Sequence, residues 1–316
     1  MILVTLGTQD KKFVRLLDEI ESLIKKGVIK DRVVVQAGMT YYKSDNMEIF
    51  SLIPRDEFQK LISEASLIIT HGGVGSILSG LKQNKKVIAV PRLTKYGEHQ
   101  SDHQVEIINR FNESGYIIGL SNVSELEMGL SKVNSFQPKK FISNNSEMIK
   151  LISSHIKDNS KVLFISSTGG HLEELMELKP LFNKYNYYLV TEKTKSNMKL
   201  KETYKGRISY LIYGTKVKPI TYIFKVLLNS LKSIYLYFKI RPKYIVTTGT
   251  HTAIPICTFA KLFKTKIIYI ETFANSNTRT MTGNFLYKHN IYDLFIVQWK
   301  DMLKVYPKAI YAGWIF

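Results

Sequence analysis

An α/β protein of two doubly wound domains in tandem is the architecture that this 316-residue sequence predicts, and three observations predict it. Short apolar runs alternate with longer amphipathic ones along the chain, the pattern of βα units around a parallel sheet. The pattern starts twice, because an apolar run leads into a glycine turn at Leu6-Gly7-Thr8-Gln9 and again at Ser166-Ser167-Thr168-Gly169-Gly170-His171. The length also suits two domains of about 150 residues each. Two Rossmann-like domains joined in tandem is the simplest reading.

In the first half, 2–6, 32–37, 66–70 and 86–90 read as buried strands, with helices over 13–26, 56–64 and 102–111. The grammar restarts at 161–166, and further strands are expected at 187–191, 244–248, 266–270 and 292–298. Between the halves lie a modest helix over 123–133, a polar stretch with Pro138 and the Asn144-Asn145 pair, and an amphipathic helix over 146–156. The predicted organisation is therefore a domain over 1–120, linker helices over 121–160 and a second domain over 161–316.

The charge is uneven. Residues 1–160 carry 21 Lys and Arg against 18 Asp and Glu, whereas 161–316 carry 24 against 8. Such asymmetry points to a polyanionic or membrane-surface partner for one domain and says nothing about fold. With one cysteine, Cys257, a disulfide framework is excluded and a cysteine-based zinc site is disfavoured. The opening residues show no basic stretch ahead of an apolar run, so no signal peptide is expected. The longest apolar stretch, 220–240, is broken by Lys225, Lys232 and Lys239, so no spanning helix is expected. A reducing, cytoplasmic, soluble or peripheral protein is the resulting expectation.

The strongest local signal is Thr70-His71-Gly72-Gly73-Val74-Gly75-Ser76, after a strand and opening a helix. Glycines let the backbone approach a ligand, and the helix start offers unpaired N–H groups to a phosphate. His71 and Ser76 could add donors. The alternative is a tight turn with a packing glycine. Next comes Val90-Pro91-Arg92 and the cluster from Gly97 to Gln104, at a strand's carboxyl end where α/β proteins place ligands. Its Asp102 and Gln104 suit sugar hydroxyls. His99 and His103, four residues apart, raise a metal site that lacks a third ligand. Asp102 could equally be a helix cap.

In the second half, His171 at a Gly-Gly turn suits a general base through its near-neutral pKa, or a cap. Thr247 to Thr252 forms another small-residue turn, and Glu271, followed by Asn275, Asn277 and Arg279, is a lone carboxylate at a strand end. Residues 193–243 hold 13 Lys and Arg and one acid, Glu202. Within them 221–240 reads as a helix with Lys225, Asn229, Lys232 and Lys239 on one stripe and apolar residues elsewhere. Such a helix can lie among anionic headgroups, or pack on a sheet with a solvated lysine face. Nucleic acid is a weaker rival, since no aromatic-basic platform, helix-turn-helix or zinc finger is present. No Asp-x-Asp, Gly-x-Ser-x-Gly or His-Glu-x-x-His motif occurs.

With those motifs in view, residues 1–120 resemble the donor-binding subunit of the two-part UDP-N-acetylglucosamine transferase of dolichol-linked glycan assembly and its bacterial capsule and exopolysaccharide relatives. The matching text is LVTLGTQ, ASLIITHGGVGSIL, KKVIAVPR, EHQSDHQ and Gly115-Tyr116. Residues 161–316 resemble the partner subunit through SSTGGHLEEL, RPKYIVTTGTHTAIP and YIETFANSNTRT. Both are more distantly similar to the single-chain peptidoglycan transferase, which places its acceptor domain first. The order here is reversed, as in a permuted fusion of two subunits.

The resemblance implies a GT-B fold, two Rossmann-like domains facing a cleft. It implies an inverting, metal-independent transfer from a UDP-sugar to a polyprenyl-diphosphate-linked sugar at the cytoplasmic face of the plasma membrane, the protein being peripheral. No cofactor and no metal are expected. On the donor side His71, Gly72, Gly73, Gly75 and Ser76 would hold the diphosphate, Asp102 and Gln104 the ribose or sugar, and the loop from Phe50 to Ile53 the uracil. Ser79 stands where the family often has a ribose-binding glutamate. On the acceptor side His171 is the first candidate for the base and Glu271 the second, with Gly169, Gly170, Thr250, His251 and Asn275 binding acceptor. Lys225, Lys232 and Lys239 would meet an anionic membrane. UDP-galactose and capsule or exopolysaccharide assembly lead. The alternatives are UDP-N-acetylglucosamine in lipid-linked oligosaccharide assembly and a soluble small-molecule transferase.

Overall fold

A computed structural model describes the chain except residues 8–10, 100–101, 143–144, 195–196 and 215–218. Thr8, Gln9, Gln100, Ser101 and Asn144, all singled out in the sequence, lie outside the described residues. The chain divides into two compact units, residues 1–142 and 143–316. The 121–160 stretch is shared between them, with the helix Leu126–Lys132 in the first unit and Ser146–His155 in the second.

The first unit is built on a parallel sheet of β1 (Ile2–Thr5), β2 (Val33–Gln36), β3 (Met47–Phe50), β4 (Leu67–His71), β5 (Lys86–Val90) and β6 (Ile118–Gly119). Their order is β3-β2-β1-β4-β5-β6, with Ile2 level with Val33 on one side and Leu67 on the other. The central strands are buried on both faces, which is why they read as unbroken Val/Ile/Leu runs. Helix Val14–Lys25 covers one face through Leu16, Leu17, Ile20 and Leu23, whose spacing puts them on one stripe.

The second unit repeats the plan with β7 (Lys161–Ile165), β8 (Asn186–Glu192), β9 (Ile208–Leu211), β10 (Tyr244–Thr247), β11 (Lys266–Ile270), β12 (Leu294–Val297) and β13 (Ile310–Tyr311). The order β13-β12-β11-β10-β7-β8-β9 is parallel throughout, with Ile165 level with Thr247. In each unit the strand order reverses beside the first strand, between β1 and β4 and between β7 and β10. Those are the switch points where doubly wound sheets bind ligands.

The strands the sequence does not announce are β3, β6, β9 and β13. All four lie at or beside a sheet edge and are short or half-exposed, so they lack the continuous apolar run of a central strand. Phe164 in β7 is fully buried and packs edge-on against Phe182 at 4.6 Å. Phe164→Ala is expected to lower the unfolding free energy by about 3–5 kcal/mol in a urea titration.

Candidate active site

At the switch point of the first unit, β4 delivers His71 and the chain turns into the helix Val74–Lys82. Gly73 precedes that helix and supplies no side-chain cap to its first-turn N–H groups. Gly75 and Ser76 lie half-buried in that first turn. His71 does not join them as a donor. Its ring is buried between Gly7 and Gly73, where an added Cβ would come within 2.6 and 2.4 Å of it. Nδ1 sits 3.2 Å from the Thr5 carbonyl, which can only accept, so Nδ1 carries the proton and Nε2 does not. Burial, then the nearby Arg92 charge, pushes its pKa down to about 3, so it is neutral at neutral pH. His71 shapes the loop; the expected donation to a phosphate is corrected.

Gly72 makes room for Gln104, whose Cβ would lie 2.7 Å from any Cβ there. Gln104 is buried and its Oε1 accepts from the Arg92 N–H at 2.9 Å. Asp102 is exposed and accepts from the Thr94 N–H at 2.9 Å and the Thr94 hydroxyl at 2.8 Å, which lower its pKa. Its side chain caps no N–H of the helix His103–Glu113. Ser79 bonds back to the Gly75 carbonyl at 2.7 Å. Ile53 is half-buried just beyond β3, on the same carboxyl-end edge of the sheet, where Ser51 holds Gly38 and Gln36 by its carbonyl. Arg92, which the sequence reading passed over, is 1% exposed and donates to the Leu6 carbonyl at 2.6 Å. A fixed buried cation thus underlies the glycine loop. Its signal was an arginine directly after Pro91 at a strand's end.

In the second unit, β7 runs through Ser166 to Gly169, whose φ of +73° favours glycine, and into the helix Gly170–Met176. His171 is clamped to the turn after β10. Its Nδ1 lies 2.8 Å from the Thr248 carbonyl, and the Thr248 hydroxyl donates to the His171 carbonyl at 2.7 Å. Nδ1 therefore holds the proton and Nε2 is the basic nitrogen. Burial lowers the His171 pKa, and the neighbouring His251 lowers it further, against the opposing Thr248 bond.

Three residues past Thr248, the His251 Nε2 lies 3.7 Å from Glu192 Oε1. Glu192, at the end of β8, is 2% exposed and takes the Thr252 hydroxyl at 2.7 Å. Tyr222 packs against His251 with ring centroids 5.5 Å apart. Gly169, Gly170, Thr250, His251 and His171 thus gather at the ends of β7 and β10, with Glu192 beneath. Nothing in the local spacing marks Glu192, because its partner is 59 residues away in the chain.

Glu271 and Asn275 do not join that group. Glu271 is 1% exposed and accepts from the Thr272 N–H, Tyr269, Thr280 and Tyr306 at 2.9–3.2 Å. Burial raises its pKa while those donors lower it. With its acceptor sites so filled, it is a structural carboxylate, and its expected second place as a base is corrected. Asn275, 2% exposed, is bonded to Thr278 through both ends of its amide and closes its own turn. Another buried carboxylate, Glu174, accepts from the Thr272 hydroxyl at 2.7 Å and the Phe273 N–H at 3.1 Å. Burial pushes its pKa up to about 8.

The basic helix, Pro219–Ile240, does not pack its apolar side inward beneath a solvated lysine face, the second of the two expected arrangements. Only Asn229 and Lys225 of its polar stripe face inward. Asn229 is buried and bonds both the N–H and the carbonyl of Ile212 at 2.8 Å, and Lys225 reaches the Tyr213 carbonyl at 3.0 Å. Ser233, Leu236, Tyr237 and Ile240 are buried along the same side. Ile223, Phe224, Leu227, Leu228, Leu231, Tyr235 and Phe238 are 50–66% exposed. Lys232 and Lys239 stay at the surface, whereas Lys225 is half-buried. Among the described residues no helix is long and apolar enough to cross a membrane, and no group of three His, Cys, Asp or Glu could hold a metal.

Each of the two parallel α/β units thus carries a glycine turn and a histidine at its switch point. Residues 1–163 match the glycosyltransferase family 28 C-terminal domain and residues 145–315 match the family described as oligosaccharide biosynthesis protein Alg14 like. The chain belongs to these families and is a glycosyltransferase. Mouse (Mus musculus) UDP-N-acetylglucosamine transferase subunit ALG14 is 26% identical over 183 residues, 50% of this chain and 83% of that protein. The human (Homo sapiens) ALG14 subunit is 27% identical over 184 residues, with the same two shares. The Candida albicans ALG13 subunit is 28% identical over 112 residues, 35% of this chain and 36% of its own length.

The buried carboxylate cage gives a direct check. A Cβ at Gly283 would stand 2.2 Å from Glu271 Oε2, so Gly283→Ala is expected to cost about 1–3 kcal/mol of stability. Glu271→Gln turns an amide N–H toward hydroxyl donors and is expected to cost about 1–3 kcal/mol, read as a lowered Tm in calorimetry.

Proposed function

We propose that this chain is a UDP-N-acetylglucosamine transferase acting on a polyprenyl-diphosphate-linked sugar at the cytoplasmic face of a membrane. Relatives of both halves carry the name UDP-N-acetylglucosamine transferase subunit, which favours this donor over the galactose expected first. Nothing in the comparisons supports a capsule or exopolysaccharide role.

The observation that carries the chemistry is the His171 clamp. With Nδ1–H held on the Thr248 carbonyl, Nε2 can only accept, and a lowered pKa keeps it unprotonated. The acceptor hydroxyl gives its proton to Nε2 as its oxygen bonds the anomeric carbon. The bond from that carbon to the diphosphate oxygen breaks, the carbon inverts, and UDP leaves. The first turn of Val74–Lys82, with Gly73, Gly75 and Ser76, meets the charge developing on the diphosphate, and the buried Arg92 adds a positive field. Thr250, Gly169, Gly170 and His251 take the acceptor's polar groups. Uracil would be held by the backbone around Ile53, and Asp102 would reach the sugar only by giving up Thr94.

The test is UDP release from a panel of UDP-sugars, with and without a polyprenyl-diphosphate sugar, in EDTA. Acceptor-dependent release from UDP-N-acetylglucosamine alone is expected; release from UDP-galactose alone overturns the donor. His171→Ala is expected to lower kcat by about 10²–10⁴-fold. A histidine with a depressed pKa loses its basic form only as the pH falls through that lower value. The acid limb of kcat/KM is therefore expected below about 6.5, the ordinary histidine value.

A further inference from the structure

Glu192, which the transfer chemistry above leaves unused, stands at the end of β8 with 2% of its surface exposed. A buried carboxylate is costly unless hydrogen bonds satisfy it, so its partners define its role. Its Oε1 accepts the Thr252 hydroxyl at 2.7 Å, and the carboxylate also accepts the Thr168 N–H. Thr168 lies shortly before His171 in the turn after β7, and Thr252 shortly after Thr248 in the turn after β10. One side chain from a third strand thus bridges the two turns that the His171–Thr248 bonds also join. Nearer the strand ends, the Ser167 N–H donates to the Gly249 carbonyl at 3.2 Å and holds the strands together without Glu192. Beyond Thr168, an added Cβ at Gly169 or Gly170 would meet nothing within 4 Å, so packing does not hold that stretch in place. Hydrogen bonds on either side of it must.

We infer that Glu192 is a positioning residue for the transfer: by spanning Thr168 and Thr252 it holds the two turns at the separation that keeps His171 Nδ1 on the Thr248 carbonyl. It acts through the His171 tautomer and touches no reacting atom. If the turns part, Nδ1 loses its acceptor and the ring reverts to the Nε2–H form that free histidine favours. Nε2 then has no lone pair for an acceptor hydroxyl. Other groups facing Glu192 are His251, whose Nε2 is 3.7 Å from Oε1, and Lys225 and Tyr222 of helix Pro219–Ile240. Burial raises the Glu192 pKa, against the Thr252 and Thr168 bonds and the Lys225 charge. The site therefore disfavours the charge while using the hydrogen bonds, which makes the carboxylate a brace. The catalytic consequence rests on the His171 base proposed above; the bracing does not.

The experiment reads the ring nitrogens of His171 in long-range proton–nitrogen NMR spectra of the full chain, its signals assigned by their loss in His171→Ala. The unaltered chain is expected to show the Nδ1–H form. Glu192→Ala is expected to shift His171 toward the Nε2–H form and to lower kcat about 10–100-fold. The KM for the UDP-sugar is expected to change less than about twofold, because the donor turn lies in the other unit. Glu192→Gln is expected to restore the Nδ1–H form and a kcat within about threefold of the original. Its amide oxygen can take the Thr168 N–H while its N–H donates to Thr252. Thr252→Val removes one tie from the far side and is expected to move the tautomer the same way, which keeps the test standing if Glu192→Ala fails to fold. An unmoved tautomer in Glu192→Ala and Thr252→Val overturns the proposal. So does a Glu192→Gln chain that loses as much kcat as Glu192→Ala, because charge and not bracing is then what the site needs. An unchanged kcat in Glu192→Ala overturns it where His171→Ala is inactive; where His171→Ala keeps its kcat, the base reading falls instead. No transfer by the unaltered chain, with the tautomer still moved by Glu192→Ala, refutes the function proposed above and leaves the brace standing.

Discussion

Both glycine turns depend on a hydrogen bond from a histidine Nδ1 to a backbone carbonyl across a switch point. His71 makes it to Thr5 between β4 and β1, and His171 makes it to Thr248 between β7 and β10. In each case the carbonyl fixes the tautomer and ties the two loops at the sheet's carboxyl end. Surroundings then separate the two roles. His71 is enclosed by Gly7 and Gly73 and serves as a neutral packing group under the turn that opens helix Val74–Lys82. No added Cβ at Gly169 or Gly170 would meet anything within 4 Å, and His171 lies half-buried beside that open turn.

The second unit holds its loops with buried carboxylates. Glu174 and Glu271, from different elements, collect hydroxyls and backbone N–H groups of the segment after β11, and Gln298 donates both to Glu174 and to the Glu271 carbonyl. Fully bonded networks of this kind rigidify a fold, and losing one partner leaves a buried charge or donor uncompensated. Glu192 differs in being covered by His251, a titratable group, instead of by hydroxyls alone. It backs a histidine three residues from the clamp, where burial first and His251 second lower the pKa of His171.

Helix Pro219–Ile240 shows how composition and orientation part company. Its polar residues lie on one stripe, as the sequence says, but that stripe is wanted by the loop after β9, whose Ile212 backbone needs partners. Asn229 satisfies both backbone groups of Ile212, while Leu236, Tyr237 and Ile240 are buried along the same side of the helix.

Central strands, the glycine turns, the restart at residue 161 and the charge asymmetry were legible because each is a local property of composition or spacing. Edge strands were not, since pairing on one side alone relaxes the demand for apolar runs. Of the site, His171 and its glycines were readable from their place after a strand, and so was the turn carrying His251. Glu192, Arg92 and the inward turn of Glu271 and Asn275 were not, because their partners lie far along the chain. The sequence by itself determined which residue types stand at the strand ends. Tertiary structure decided which of them face a ligand, because that depends on which carbonyls, hydroxyls and rings folding places beside them.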